Sequence, residues 1–78
     1  MDCQVVFTES FRANLETIVR DLSAHNPDAA LRLGERVISM AERLRFFPER
    51  HPRVRQRPSI RRFIVQRHWK VFYRILAE

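Results

Sequence analysis

Apolar residues in the first half of the chain recur at the spacing of an α-helix. One stripe, at positions i, i+4, i+7, i+8 and i+11, consists of Phe11, Leu15, Ile18, Val19 and Leu22. Polar residues occupy the opposite face, so the pattern predicts an amphipathic helix that ends near residue 24. Thr8 and Ser10 can both act as the N-cap, and Ser10 is the expected one because the stripe begins at Phe11. The apolar run over residues 4–8 predicts a short strand before this helix.

A second helical stripe follows Asn26 and Pro27. Asn is a favourable N-cap, and proline at the first helical position sacrifices no hydrogen bond. The helix is predicted to continue to about Arg45, and its apolar stripe consists of Ala30, Leu33, Val37, Ile38, Ala41 and Leu44. Gly34 lies beside this stripe and is expected to mark a close approach of the first helix. Because the connection is short, the two helices should form an antiparallel hairpin.

Residues 60–76 mix β-branched and aromatic residues with basic ones, which predicts two antiparallel strands. A turn at Arg67 and His68 gives a register that opposes Ile64 to Val71, Phe63 to Phe72, Arg62 to Tyr73 and Arg61 to Arg74. The helices should then pack on the face of Ile60, Ile64, Trp69, Val71 and Ile75, leaving Phe63, Val65 and Phe72 on the other. The turn contains no Gly, Asn or Asp, so a tight type I′ turn is not expected and the register can shift by one.

The order of these elements predicts one α+β domain over residues 1–78. Residues 48–58 contain three prolines and no periodicity, so they are expected to form an exposed loop between the helices and the last two strands. The predicted fold is therefore β-α-α-β-β, with a helical hairpin packed on one face of a small antiparallel sheet. At 78 residues the chain has room for a single core.

Composition limits the cofactors and the location that the sequence predicts. The lone cysteine, Cys3, and the absence of a Cys/His metal-ligand spacing predict no metal and no other cofactor. No apolar run approaches the roughly 18 residues needed to span a membrane, and the acidic N-terminus does not resemble a signal peptide. A cytoplasmic location without a membrane partner is therefore expected.

Charge divides the chain into two unequal halves. Residues 1–49 carry six Arg against eight Asp and Glu, whereas residues 50–78 carry eight Arg and one Lys against Glu78 alone. Such asymmetry favours a polyanionic partner, either nucleic acid or an acidic protein. Fourteen of the fifteen basic residues are Arg, whose guanidinium group binds phosphate and carboxylate in a bidentate manner.

Four segments in sequence order resemble the ParE/RelE superfamily of type II toxin–antitoxin toxins. They are the opening run that ends in FT (Phe7, Thr8), NPDAALRLGERV at 26–37, LRFFP at 44–48, and IRRF…WKVFYRI at 60–75. The resemblance covers essentially the whole chain. It implies the toxin of a plasmid stabilisation module, with a cognate antitoxin as partner and a homodimer or a heterotetramer with antitoxin as assemblies. The family pattern continues into a further strand that is not found after Leu76, so an open sheet edge is expected.

The superfamily contains gyrase poisons (ParE-like) and ribosome-dependent mRNA endonucleases (RelE-like). The gyrase branch is favoured, because it requires a basic surface rather than a catalytic group and because the lysine-rich region typical of RelE-like nucleases is not found. The expected target- or anion-binding residues are Arg53, Arg55, Arg57, Arg61, Arg62, Arg67, Lys70 and Arg74. DNA gyrase is the expected target.

Three alternatives to the gyrase branch remain open. An endonuclease needs proton-transfer groups and cations at the phosphate, for which the candidates are Arg62, His68 and Tyr73. The chain can also be an inactive remnant that still binds antitoxin, or a basic nucleic-acid-binding module. His25 and His51 are expected at a helix end and in the loop, without a chemical role.

Overall fold

The computed structural model describes residues 3–76 and contains both predicted helices, α1 (Glu9–Ser23) and α2 (Pro27–Glu42). Asn26 caps α2, as predicted, by accepting a 3.1 Å hydrogen bond from the Ala29 N–H. The cap of α1 is Thr8, whose hydroxyl oxygen accepts a 3.0 Å hydrogen bond from the Phe11 N–H. The prediction of Ser10 as cap was wrong. Because α1 begins at Glu9 rather than after Ser10, Glu9 lies in the first turn, where its charge complements the helix dipole.

Three strands follow the helices, and they form one antiparallel sheet in the order β1-β2-β3. Strand β1 is Arg53–Val54, β2 is Arg57–Val65 and β3 is Trp69–Tyr73. Short 3₁₀ turns at Arg43–Arg45 and Pro48–Arg50 connect α2 to β1. The segment predicted as a loop, 48–58, is therefore largely ordered, because β1 folds back on the start of β2.

The strand predicted at residues 4–8 was wrong, since no residue of this segment joins the sheet. Its side chains nevertheless alternate: Val5 and Phe7 pack against the core, and Val6 is exposed. The segment is tied by the Cys3 N–H, which donates a 2.7 Å hydrogen bond to the Arg45 carbonyl oxygen. The observed order is helix-helix-strand-strand-strand, which confirms the α+β class with a helical hairpin on an antiparallel sheet.

The register between β2 and β3 differs by one residue from the predicted one. The observed pairs are Arg61–Tyr73, Arg62–Phe72, Phe63–Val71, Ile64–Lys70 and Val65–Trp69. The turn holds Gln66 and Arg67 at φ values of 53° and 63°, and the His68 N–H donates to the Val65 carbonyl oxygen at 3.2 Å. Non-glycine residues therefore adopt the left-handed conformation of a tight turn, which was not expected from their side chains.

A one-residue shift exchanges the two faces of a strand. Phe63 is 2% exposed and Val65 is 0% exposed, whereas Ile64 is 48% exposed. The predicted core face was therefore wrong for β2, although Trp69 and Val71 of β3 do pack against the core. The buried cluster that joins α2 and its 3₁₀ exit to β2 consists of Leu33, Val37, Ala41, Leu44, Phe63 and Val65.

Candidate functional site

Two of the predicted site residues, Arg61 and Tyr73, bind the backbone that precedes the sheet. The Arg61 Nη1 donates to the carbonyl oxygens of His51 at 2.7 Å and of Glu49 at 3.3 Å. The Tyr73 hydroxyl donates a 2.6 Å hydrogen bond to the Pro48 carbonyl oxygen. The two residues are also a cross-strand pair, so the predicted opposition of Arg61 to Arg74 was wrong. Both side chains hold the segment 48–51 against the inner face of the sheet.

His51 completes this group, which we call the loop clamp (His51, Arg61 and Tyr73). Its ring centroid lies 5.1 Å from that of Phe63 and 6.2 Å from that of Tyr73, the latter with near-perpendicular planes. Burial, and then the charge of Arg50, lower the pKa of His51 below its usual value. Burial raises the pKa of Tyr73, against the opposing effect of the Arg61 charge.

The role of His51 was not predicted from the sequence. The signal that was present is a pair of flanking prolines, Pro48 and Pro52, which restrict the backbone on either side of it. The contact with Phe63 and Tyr73 depends on the strand register, which residue spacing alone did not determine.

The outer face of the sheet mixes cationic and apolar side chains. Arg62 pairs with Phe72, not with Tyr73 as predicted, and Ile64 pairs with Lys70. Phe72 is 56% exposed, and its ring therefore lies at the surface beside the Arg62 position. This face offers both a positive charge and apolar area to a partner.

The remaining predicted binding residues are exposed but do not form one cluster. Arg55 lies in the turn between β1 and β2, and Arg67 lies in the turn between β2 and β3. The nine residues of β2 separate the two turns, which corresponds to about 30 Å. We use the term cationic surface for this set of exposed side chains, which is spread along the sheet and its turns rather than gathered in one cluster: Arg53, Arg55, Arg57, Arg67, Lys70 and Arg74.

The charge of this surface is not balanced by ion pairs among residues 3–76. The ion pair in this part of the chain joins Arg20 to Glu16 at 2.7 Å on α1. The cationic surface is therefore available to an external anion.

The three candidate catalytic residues do not come together. Arg62 is on the outer face of the sheet, Tyr73 is on the inner face, and His68 is exposed in the turn with its ring 5.0 Å from that of Trp69. A general acid or base must lie within hydrogen-bond reach of the proton it transfers. These three side chains do not form one such site in this structure.

The chain matches the model of a known protein family. No helix within residues 3–76 is long and apolar enough to cross a membrane. No curated protein and no solved structure shows significant similarity to the chain. The family model described as the ParE toxin of the type II toxin–antitoxin system parDE matches residues 5–78. Because this match spans nearly the whole chain and confirms the resemblance of the four sequence segments, the chain belongs to the ParE toxin family.

Proposed function

We propose that this toxin inhibits DNA gyrase and that an acidic antitoxin neutralises it. Membership of the family implies a cognate antitoxin as partner. The observation that carries the choice of target is the cationic surface, which is exposed while the candidate catalytic side chains lie apart. Inhibition by binding requires an exposed surface that is complementary to the target, and it does not require an assembled catalytic group.

The arginine side chains suit both partners of this proposal. A gyrase–DNA complex presents phosphates, and an acidic antitoxin presents carboxylates, and guanidinium groups bind either in bidentate geometry. Antitoxin binding on the same surface would therefore compete with the target. The proposal places the toxin in the cytoplasm, within a plasmid stabilisation module, as a homodimer or as a heterotetramer with antitoxin.

A second candidate function, mRNA cleavage, would draw on the group types present in the loop clamp. His51, Arg61 and Tyr73 bring an imidazole, a guanidinium and a phenol together. Those are the group types that activate a 2′-hydroxyl and stabilise a phosphate. Two of them already bind backbone carbonyl oxygens of the segment 48–51, and this favours a structural role for the clamp.

The test compares gyrase supercoiling and mRNA cleavage with the same purified protein. We expect the protein to inhibit supercoiling and Arg67→Ala/Lys70→Ala to weaken that inhibition. The matched control is Arg32→Ala/Arg36→Ala, which removes two exposed positive charges from α2 and leaves the cationic surface intact. Equal inhibition by both double variants would show that the β2–β3 end of the cationic surface does not bind the target.

The alternatives give different results in the same assays. Cleavage of mRNA that is lost in His51→Gln/Tyr73→Phe, without inhibition of gyrase, would establish the nuclease in place of the gyrase poison. Neither activity, with antitoxin binding retained, would identify an inactive remnant. Binding to DNA alone, with an affinity that falls steeply as salt rises, would identify a nucleic-acid-binding module.

A further inference from the structure

The outer edge of β3 faces a trench instead of another strand. Within residues 3–76, β3 pairs with β2 alone, so the backbone groups on its other edge have no strand partner. Two adjoining hollows of about 390 Å³ and 550 Å³ lie along this edge, and both are lined by Phe11, Val71 and Phe72. We call the two hollows together the edge trench. Strand β3 forms one wall, and the segment 5–8 with residues 11–18 of α1 forms the other.

The edge trench exists because the helical layer is wider than the sheet. Two packed helices, each about 10 Å across, cover about four strands at a spacing of about 4.8 Å. The sheet formed by residues 53–73 has three strands. Of the residues that the structure describes, four in α2 are buried and none in α1 is. The apolar stripe of α1 is therefore only partly covered, on the side where the sheet ends at β3.

The edge trench opens onto the hydrophobic core. Its lining includes core residues that are at most 6% exposed: Leu33, Val37, Ala41, Leu44 and Phe63. Val6 and Leu76 also line it, and they are 74% and 73% exposed. A segment bound in the trench would therefore extend the core. Interfaces that resemble a divided core are typical of permanent complexes rather than transient encounters.

The charges that line the edge trench favour an acidic polypeptide. Arg74 lines one hollow and Lys70 lines the other, and within residues 3–76 no acidic side chain lines either hollow. A second copy of this chain has a net charge of +6, so it would bring like charges together. A nucleic acid has the opposite charge, but it offers no peptide backbone with which the edge of β3 can pair.

We propose that the cognate antitoxin inserts an extended segment into the edge trench and adds a fourth strand beside β3. Because β3 has five residues, the paired part of this strand spans about 17 Å. Side chains alternate along a strand, so apolar residues of the antitoxin would cover Phe11 and Ile18 while acidic residues pair with Lys70 and Arg74. An exposed sheet edge is a template for such pairing.

The antitoxin is favoured over gyrase as the occupant for two reasons. Membership of the family supplies an antitoxin as partner, independently of the target. A toxin held inactive forms a lasting complex with its antitoxin, and a trench that opens onto the core suits such a complex better than a target met only after release. The inference therefore rests on the neutralisation part of the proposed function and not on gyrase.

The test measures hydrogen exchange of the β3 amides in the full-length toxin, free and bound to the cognate antitoxin expressed from the same module. Alternate amides of β3 point away from β2 and should exchange readily in the free toxin. Strand addition should slow their exchange by about tenfold or more, because each becomes hydrogen-bonded to the antitoxin. A helix bound in the trench would leave these amides without a backbone partner.

A charge substitution in the edge trench tests the same contact by affinity. Thr17 is exposed on α1 and lines the trench, so Thr17→Glu should repel an acidic strand and weaken antitoxin binding by about tenfold or more. Thr17→Gln has nearly the same shape without the charge. Ser39→Glu adds the same charge at an exposed position of α2 outside the trench. Both controls should bind antitoxin as the wild type does, and melting temperatures verify that each variant is folded.

The other outcomes separate the inference from the proposed function. Antitoxin binding that leaves β3 exchange unchanged, or that Thr17→Glu does not weaken, overturns the inference and retains neutralisation. Slow β3 exchange in the free toxin, together with a dimer in sedimentation, would assign the trench to a second copy and overturn it. Slower β3 exchange with purified gyrase subunits but not with antitoxin would assign the trench to the target. No binding of antitoxin at all would disprove neutralisation itself, and the inference with it.

Discussion

The hydroxyl group of Tyr73 connects the last strand to the segment that precedes the sheet. Its hydrogen bond to the Pro48 carbonyl oxygen, at 2.6 Å, spans 25 positions in the sequence. Tyr73→Phe keeps the ring and its contacts, and it removes only this bond. We expect the variant to unfold with a free energy lower by about 1 kcal/mol, measured by urea denaturation.

Arg61→Lys is a companion to this variant, since it shortens the donor that binds His51 and Glu49 while it keeps the charge. If the loop clamp is structural, both variants should lose stability and neither should change toxicity after correction for the folded fraction. Unchanged stability with abolished toxicity in Tyr73→Phe would instead assign the hydroxyl a chemical role.

The turn between β2 and β3 places Gln66 at a φ of 53°, in the left-handed region that disfavours side chains. Gln66→Gly should therefore raise the free energy of unfolding by about 1 kcal/mol, because the relief of strain exceeds the added freedom of the unfolded chain. Denaturation of wild type and variant measures the difference.

Gln56, in the turn between β1 and β2, is the matched control because its φ is not positive. Gln56→Gly should lower the free energy of unfolding, because glycine makes the unfolded chain more flexible and there is no strain at this position for it to relieve. Equal effects of the two substitutions would show that the left-handed conformation of Gln66 carries no strain.

The contact between helices α1 and α2 leaves room for a methyl group at Gly34. A Cβ added there would lie 3.7 Å from the Val19 Cγ2, which is an ordinary van der Waals distance. The helices do approach closely, but the approach does not require glycine. Gly34→Ala should raise the free energy of unfolding by about 0.5–1 kcal/mol through helix propensity, measured by thermal denaturation. A destabilised variant would show that the helices pack more tightly than this distance indicates.

The packing of α2 against β2 implies that two apolar residues, Leu33 and Ile64, contribute very differently to the free energy of unfolding. Leu33 is 1% exposed, so Leu33→Ala should cost about 2–5 kcal/mol and leave most molecules unfolded. Ile64, which the predicted register placed in the core, is exposed on the outer face, and Ile64→Ala should cost about 1 kcal/mol or less. Equal losses in urea denaturation would support the predicted register over the observed one.

The stability of the whole molecule should depend on pH through the loop clamp. The pKa of His51 is lowered below 6.5, so the unfolded chain binds its proton first as the pH falls. The contribution of neutral His51 to the free energy of unfolding is therefore complete above about pH 6.5. It declines as the pH falls towards the pKa of His51 in the folded state. The pKa of Tyr73 is raised above 10.0, so stability should also decline as the pH rises beyond about 10.

Urea denaturation of wild type and His51→Gln between about pH 5 and pH 8 tests the acid side of this prediction. His51→Gln should show a weaker loss of stability on acidification. His68→Gln is the matched control, because the His68 side chain is exposed in the turn. If His68→Gln alone flattens the pH dependence, the clamp does not cause it.

The sequence by itself determined the two helices, the α+β class and the family. The stripes that define the helices repeat every three or four residues, and the Asn26 cap lies within three residues of the N–H it binds, so both depend on near neighbours. The uneven distribution of arginine was equally visible without coordinates. Among the candidate binding residues, the sequence predicted which are basic but not what each of them contacts.

Only the tertiary structure decided the register, the faces of β2 and the roles of Arg61 and Tyr73. Strand pairing joins residues from separate segments, and a one-residue change in register exchanges the buried face for the exposed one. Residues 4–8 lie outside the sheet despite their strand-like composition. A strand requires a paired neighbour as well as a suitable sequence, and the sequence alone does not show whether a neighbour is available. Local patterns therefore determined the helices, and contacts between distant parts of the chain determined the sheet and the surface it displays.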